Sequence, residues 1–157
     1  MKSLKIWSLV AVLLMAMVGC GEKPGNGPDG PADSGNFDNI EKEWKLVSVN
    51  GEANEFNVYI SFDQGTFAMY QQVYTLDYQF YDGEYKIEGG KLTGEYFEGG
   101  EWKCAYTGGV SEDGNTLTLK SDETNSITCV YEACTIPEEV RDEALNGTRA
   151  VEAVPFL

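Results

Sequence analysis

An all-β fold, closed into an eight-stranded antiparallel up-and-down β-barrel with one short C-terminal helix, is the architecture this 157-residue sequence predicts. Three observations carry that expectation. Short segments alternate apolar and polar residues at the two-residue period of a strand. Turn signals separate them at intervals of about 8–12 residues, as in sandwiches and barrels. Nearly every link is of hairpin length, which favours next-neighbour pairing over long crossings. Closure is preferred to an open sandwich because it removes exposed strand edges.

The folded part is expected over residues 40–157. Lys42–Val49 alternates as a first strand, with Trp44 and Leu46 on one face. Asn50-Gly51 is a strong hairpin signal. Asn57–Phe62 places Val58, Ile60 and Phe62 together, and Asp63-Gln64-Gly65 turns the chain into Thr66–Gln71, where Phe67 and Met69 share a face. Tyr74–Tyr81 alternates Tyr74, Leu76, Tyr78 and Phe80 against Thr75, Asp77, Gln79 and Tyr81.

A meander follows over Glu84–Glu88, Lys91–Tyr96 and Glu101–Thr107. One unit recurs in it: Gly83-Glu84-Tyr85, Gly94-Glu95-Tyr96 and Gly100-Glu101-Trp102. Side chains alternate faces in an extended chain, so the acids aim at water, the rings at a core, and the glycines allow bending. Ser111–Asn115 is a turn, Thr116–Lys120 carries Leu117 and Leu119, and Ser126–Ala133 carries Ile127, Cys129 and Tyr131 inward.

After Cys134 a helix is expected at about residues 136–146. Thr135 and Glu138 have capping-box spacing, Pro137 suits an early position, and Glu138 and Glu139 complement the positive helix end. Ile136, Val140 and Ala144 share one face, Gly147 can end the helix, and Pro155-Phe156-Leu157 is expected to pack down.

Residues 1–19 read as a signal peptide. Lys2 and Lys5 precede the apolar run Ile6–Val18, which falls short of the ~20 residues that span a bilayer. Leu14 to Cys20 resembles the lipobox of bacterial lipoproteins, with Met17 where leucine is usual. That resemblance implies a lipidated Cys20 at the mature N-terminus, anchored by several acyl chains. It places the protein in the cell envelope on a bacterial membrane, the outer membrane being the expected one, facing periplasm or surface. Residues 20–39 form the tether, too rich in Gly, Pro, Asp and Asn to fold. A flexible chain of that length reaches about 25 Å.

Composition excludes several chemistries. Removing Lys2 and Lys5 leaves 9 basic against 26 acidic residues, a net charge of −17. Nucleic acid is a poor partner for that field. There is no histidine, so Ser-His-Asp and Cys-His catalysis and histidine-ligated metals are ruled out. The acids fall on outward or turn positions, as a solvated face would place them. No metal-loop, phosphate-cradle or cofactor motif is present, so neither cofactor nor metal is expected, and the protein reads as a non-enzyme. Cys129 and Cys134 would lie about 16 Å apart on opposite faces of one strand, beyond disulfide reach. Cys104 and Cys129 would sit two strands apart, about 9.5 Å. Buried thiols are expected, with Cys104–Cys129 the one bridge worth testing.

The order of Glu43-Trp44-Lys45-Leu46-Val47, Gly65-Thr66-Phe67, Gly83-Glu84-Tyr85, Lys91-Leu92-Thr93-Gly94, Trp102, Tyr106, Asp113-Gly114-Asn115-Thr116-Leu117-Thr118-Leu119 and Tyr131 resembles the small lipocalin-like lipoproteins of Bacteroidetes. The resemblance covers about residues 40–145. Lys42 stands where lipocalins proper carry the glycine of their Gly-x-Trp motif, and Trp44 supplies the tryptophan. It implies an eight-stranded barrel with a helix against it, and no shared ligand.

Such a barrel is wide enough to be filled by side chains or to hold one small ligand. The candidate lining is Trp44, Tyr85, Tyr96, Trp102, Tyr106 and Tyr131, rings with apolar faces and mostly polar tips that suit an apolar or amphipathic ligand. Ile87 and Ile127 are also expected inside. The alternative is a filled barrel that meets a protein or glycan through its loops, with Tyr70, Tyr81 and Phe97 as exposed contacts.

Overall fold

The computed structural model describes residues 36–147 and 154–157. The expected signal peptide, Cys20 and nearly all of the expected tether, residues 20–39, lie outside the described residues. Nine strands and one helix follow in order: β1 Glu43–Val49, β2 Glu52–Ala53, β3 Val58–Asp63, β4 Thr66–Gln71, β5 Gln79–Glu88, β6 Lys91–Tyr96, β7 Tyr106–Val110, β8 Thr116–Ser121, β9 Thr128–Cys134 and α1 Glu138–Asn146.

All strands join one antiparallel sheet in the order β2-β1-β3-β4-β5-β6-β7-β8-β9, and β1 also pairs with β9. Eight strands therefore close a ring, with the short β2 folded back on β1. The β1–β9 seam runs from Glu43↔Cys134 to Val49↔Cys129, with a register shift between Leu46 and Ser48.

Turn chemistry sets much of the register. Gln64-Gly65 and Gly89-Gly90 are two-residue links with positive φ at both positions. Turns of that kind match the twist of the strands they join. Asn50-Gly51 is a third, but it joins β1 to the two-residue β2 rather than to β3.

The interior follows the alternation. Trp44, Ile60, Met69, Leu92, Leu117, Leu119 and Tyr131 are fully buried in one cluster. A second cluster lies outside the ring, where Tyr59, Tyr70 and Tyr78 meet Ile136, Val140 and Ala144. The helix thus covers β3–β5 with the predicted face. Its start differs from the expected capping box: it begins at Glu138 with Pro137 as N-cap and no side-chain cap. Glu43 instead accepts the Ile136 N–H and pairs with Arg141, whose guanidinium reaches the Tyr70 hydroxyl at 3.2 Å.

Several sequence expectations fail for identifiable reasons. Residues 72–78 are not strand, and β5 is a single strand that starts at Gln79. Its partnering with β4 sets Tyr81 opposite Met69, so Tyr81 points inward while Phe80 packs outward against the helix cluster. Tyr74 and Leu76 are 98% and 93% exposed. Ile87 and Ile127 are exposed because one lies beyond the last β4–β5 pair, at Glu84, and the other precedes β9. Residues 101–105 are not strand either. Trp102 instead folds back, its backbone N–H donating to Gly94 O at 2.9 Å.

That return explains Gly94. A β-carbon there would lie 2.2 Å from the Trp102 indole. Gly94→Ala should therefore destabilise the fold by about 1–3 kcal/mol, the usual penalty for overpacking. A urea midpoint measures it, and most of the loss should vanish in a Trp102→Leu background. An equal loss in both backgrounds would show that the indole is not the obstacle.

Candidate functional site

The chain closes both ends of the ring with its own residues. At the end holding the β3–β4 and β7–β8 turns, residues 36–42 cross the opening. Asn36 bridges to Gly109, Phe37 and Ile40 are buried, and Lys42 bonds the Phe62 N–H through its carbonyl and the Gly114 carbonyl through Nζ. Among the described residues, the packing against the ring thus includes Phe37, ahead of Ile40. Trp44 sits just above, its indole N–H donating to Ile40 O at 2.9 Å.

The other end is closed by Val154–Leu157. Helix α1 starts near the first end, and Glu143 late in it accepts the Tyr78 N–H at 3.0 Å beside the start of β5. Nine helical residues rise about 13 Å, enough to return the chain toward the second opening. There Leu157 is only 1% exposed and belongs to the interior cluster. Phe156 meets Phe56 edge to face at 5.7 Å.

Polar side chains hold the backbone of this segment. Gln71 is fully buried; its Nε2 donates to Val154 O and its Oε1 accepts the Phe156 N–H, each at 2.8 Å. Tyr96 Oη donates to Leu157 O at 2.8 Å, and Lys103 Nζ to Pro155 O at 2.8 Å. Gln79, also buried, pairs directly across the sheet from Gln71.

The six residues named from sequence, Trp44, Tyr85, Tyr96, Trp102, Tyr106 and Tyr131, all join the interior cluster. Their rings meet neighbours at packing distances: Phe67–Trp102 and Phe62–Tyr85 at 5.0 Å, Phe67–Tyr96 at 5.5 Å, and Trp102–Tyr106 at 5.9 Å. Trp102 Nε1 and the Tyr131 hydroxyl are buried without a hydrogen-bond partner among the described residues. The alternative loop contacts divide: Tyr70 and Tyr81 are buried, whereas Phe97 is exposed. Tyr70 lies under the helix and Tyr81 faces the ring interior, so neither can meet a partner.

Gln71, Phe156 and Leu157 were not among the site residues the sequence singled out. Gln71 had a readable signal, because it shares strand parity with Phe67 and Met69 and so must face inward.

Two open depressions lie on the surface of the ring. One, about 280 Å³, lies between residues 45–47 and 53–57; the other, about 360 Å³, lies beside Gly94 and Trp102. Cys104, Cys129 and Cys134 are free thiols. Cys129 faces the interior, where burial and then Cys104 push its pKa up to about 12. Cys134 lies on the opposite face against the helix cluster, as the strand parity requires. Among the described residues, no cluster is placed to hold a metal ion and no helix is long and apolar enough to cross a membrane.

No protein-family model, curated protein or solved structure matches this chain.

Burial is the leading cause that raises the pKa of Tyr96, Tyr106 and Tyr131, with neighbouring thiol and phenol groups adding to it. A raised folded-state pKa means that the neutral form is the one the fold favours. The stability it contributes is complete below the unfolded value of about 10 and is lost as pH climbs above it. In an alkaline titration read at the phenolate absorbance, these three tyrosines should ionise only together with the loss of near-ultraviolet circular dichroism. Ionisation of every tyrosine while the fold persists would contradict their burial.

Proposed function

We propose that the protein is a lipid-anchored binding module of the bacterial cell envelope rather than an enzyme. In this reading Cys20 carries the anchor, residues 20–35 hold the domain clear of the membrane, and the ring is a lipocalin-like, eight-stranded up-and-down barrel. A small apolar or amphipathic ligand takes the mouth that Val154–Leu157 occupies. The observation that carries the reading is Leu157. A side chain from outside the sheet is accepted into the interior at 1% exposure, between polar groups that hold its backbone. The opening thus admits an apolar group of aliphatic size and still satisfies polar atoms at the rim. The unpaired Trp102 Nε1 and Tyr131 hydroxyl offer further polar contacts deeper inside.

A second reading rests on the loop between β4 and β5. Tyr74, at φ 58°, and Leu76 stand almost wholly in solvent at the same end of the ring as exposed Phe97. A protein or glycan partner would meet these three side chains.

The neutral dye N-phenyl-1-naphthylamine separates the two. The Phe156→Ala/Leu157→Ala variant should take up one dye per chain, with energy transfer from tryptophan, at least about tenfold more tightly than the native chain; a tenfold ratio is about 1.4 kcal/mol. If neither chain binds the dye while both keep native circular dichroism, the ligand reading falls. The loop reading then remains, and Tyr74→Ser/Leu76→Ser tests it.

A further inference from the structure

We infer that the mouth of the ring is a peptide site, read through backbone groups, which the protein's own Val154–Leu157 segment fills in cis. It accepts in trans a short extended peptide with an aromatic residue followed by a leucine-sized one. The inference rests on the mouth being the binding site and specifies its ligand chemistry.

The way the segment is held points to a peptide. The buried Gln71 amide engages the carbonyl of Val154 and the N–H of Phe156, two residues apart on one extended run. A neighbouring strand offers the same pairing, one acceptor and one donor, to residues i and i+2. Tyr96 takes the Leu157 carbonyl and Lys103 the Pro155 carbonyl. Lys103 Nζ also reaches Phe156 O at 3.4 Å, so five backbone groups are recognised by three side chains.

The segment's own side chains are handled apolarly, Phe156 against Phe56 and Leu157 in the interior. Main-chain bonds that give affinity and apolar pockets that give selectivity are the division of labour in extended-peptide recognition. A hydrocarbon chain in the same place would leave both ends of the buried Gln71 amide unpaired, which disfavours it against a peptide. The net charge, −15 over the whole sequence and −17 without Lys2 and Lys5, further favours neutral or basic peptides over acidic ones.

The cis segment competes strongly. A short tether gives an effective concentration on the order of millimolar, so a free peptide should bind the native chain weakly and a chain with a disabled segment more tightly.

The test uses the full chain and its Phe156→Gly/Leu157→Gly variant, titrated calorimetrically with acetyl-Val-Pro-Phe-Leu in carboxylate and carboxamide forms. The variant should bind one peptide at least about tenfold more tightly than the native chain, the ratio a competing tethered segment imposes. The same peptide N-methylated at phenylalanine lacks the N–H that Gln71 accepts and should lose most of that affinity, without any change to the protein. Equal binding of the methylated and unmethylated peptides, or dye binding without peptide binding, overturns the peptide inference and leaves the apolar-ligand reading standing. Absence of both dye and peptide binding overturns both. Should the variant lose its native spectrum, the native chain at millimolar peptide supports the same N-methyl comparison: weaker binding of the methylated peptide upholds the inference, and equal binding overturns it.

Discussion

The pairing of β1 with β9 is the constraint on which the rest of the molecule depends. It joins the first strand to the last along six residue pairs and turns a nine-stranded sheet into a ring. Without it, two long edges would expose unpaired backbone groups. With it, one parity of every strand is committed to a shared interior. The fully buried residues, from Trp44 and Leu46 on β1 to Tyr131 on β9, are the product of that commitment. The register shift between Leu46 and Ser48 is local to this seam. A bulge of that kind adds bend and twist, which a closing sheet requires.

Closing a sheet creates two open ends, and the chain treats them with the same device. Residues 36–42 cross one, burying Phe37 and Ile40. Val154–Leu157 fill the other, burying Leu157. The helix connects these tasks, since β9 ends near the first opening and Glu143 meets the chain beside the second. Its inner face also explains the unusual burial of β3 and β4, whose outward tyrosines are sheltered as well as their inward residues. The two closures differ in chemistry. The first uses mainly apolar side chains, with the Trp44 indole and Lys42 each making one bond to a backbone carbonyl. The second is held by a buried glutamine, a tyrosine and a lysine, all directed at backbone groups. Side chains that address backbone rather than one another are suited to exchanging one extended segment for another.

Much of this was readable from residues, and the misreadings share a cause. Where one face was apolar, as in Lys91–Tyr96 after the two-residue Gly89-Gly90 turn or in Thr116–Ser121 after a five-residue link, the faces came out as expected. Over Tyr74–Tyr81 the more apolar parity is the one that carries Tyr78 and Phe80, and it faces the helix cluster, while the more polar parity, with Gln79 and Tyr81, faces the ring interior. Pairing with β4, not local pattern, then decides which side is inner, and Tyr81 replaces Phe80 inside. Trp102 looked like a strand residue because its Gly-Glu-aromatic unit matches two that are; only the fold-back over Gly94 sets it apart. Leu157 carries no periodic signal at all, since a four-residue segment has no face until something receives it. Gln71 was legible by parity alone, as a polar residue in an inward position.

Both roles given to the mouth require that Gln71 seat Val154–Leu157 in the ring. Amide hydrogen exchange at Phe156 reports that contact directly, because its N–H is the one Gln71 Oε1 accepts. Exchange there should be at least about tenfold slower than in a free peptide, reflecting opening against a real local stability. In Gln71→Leu it should return to the free-peptide rate with the β1–β9 amides still protected. Exchange of Phe156 at the free-peptide rate in the native chain would contradict the seating.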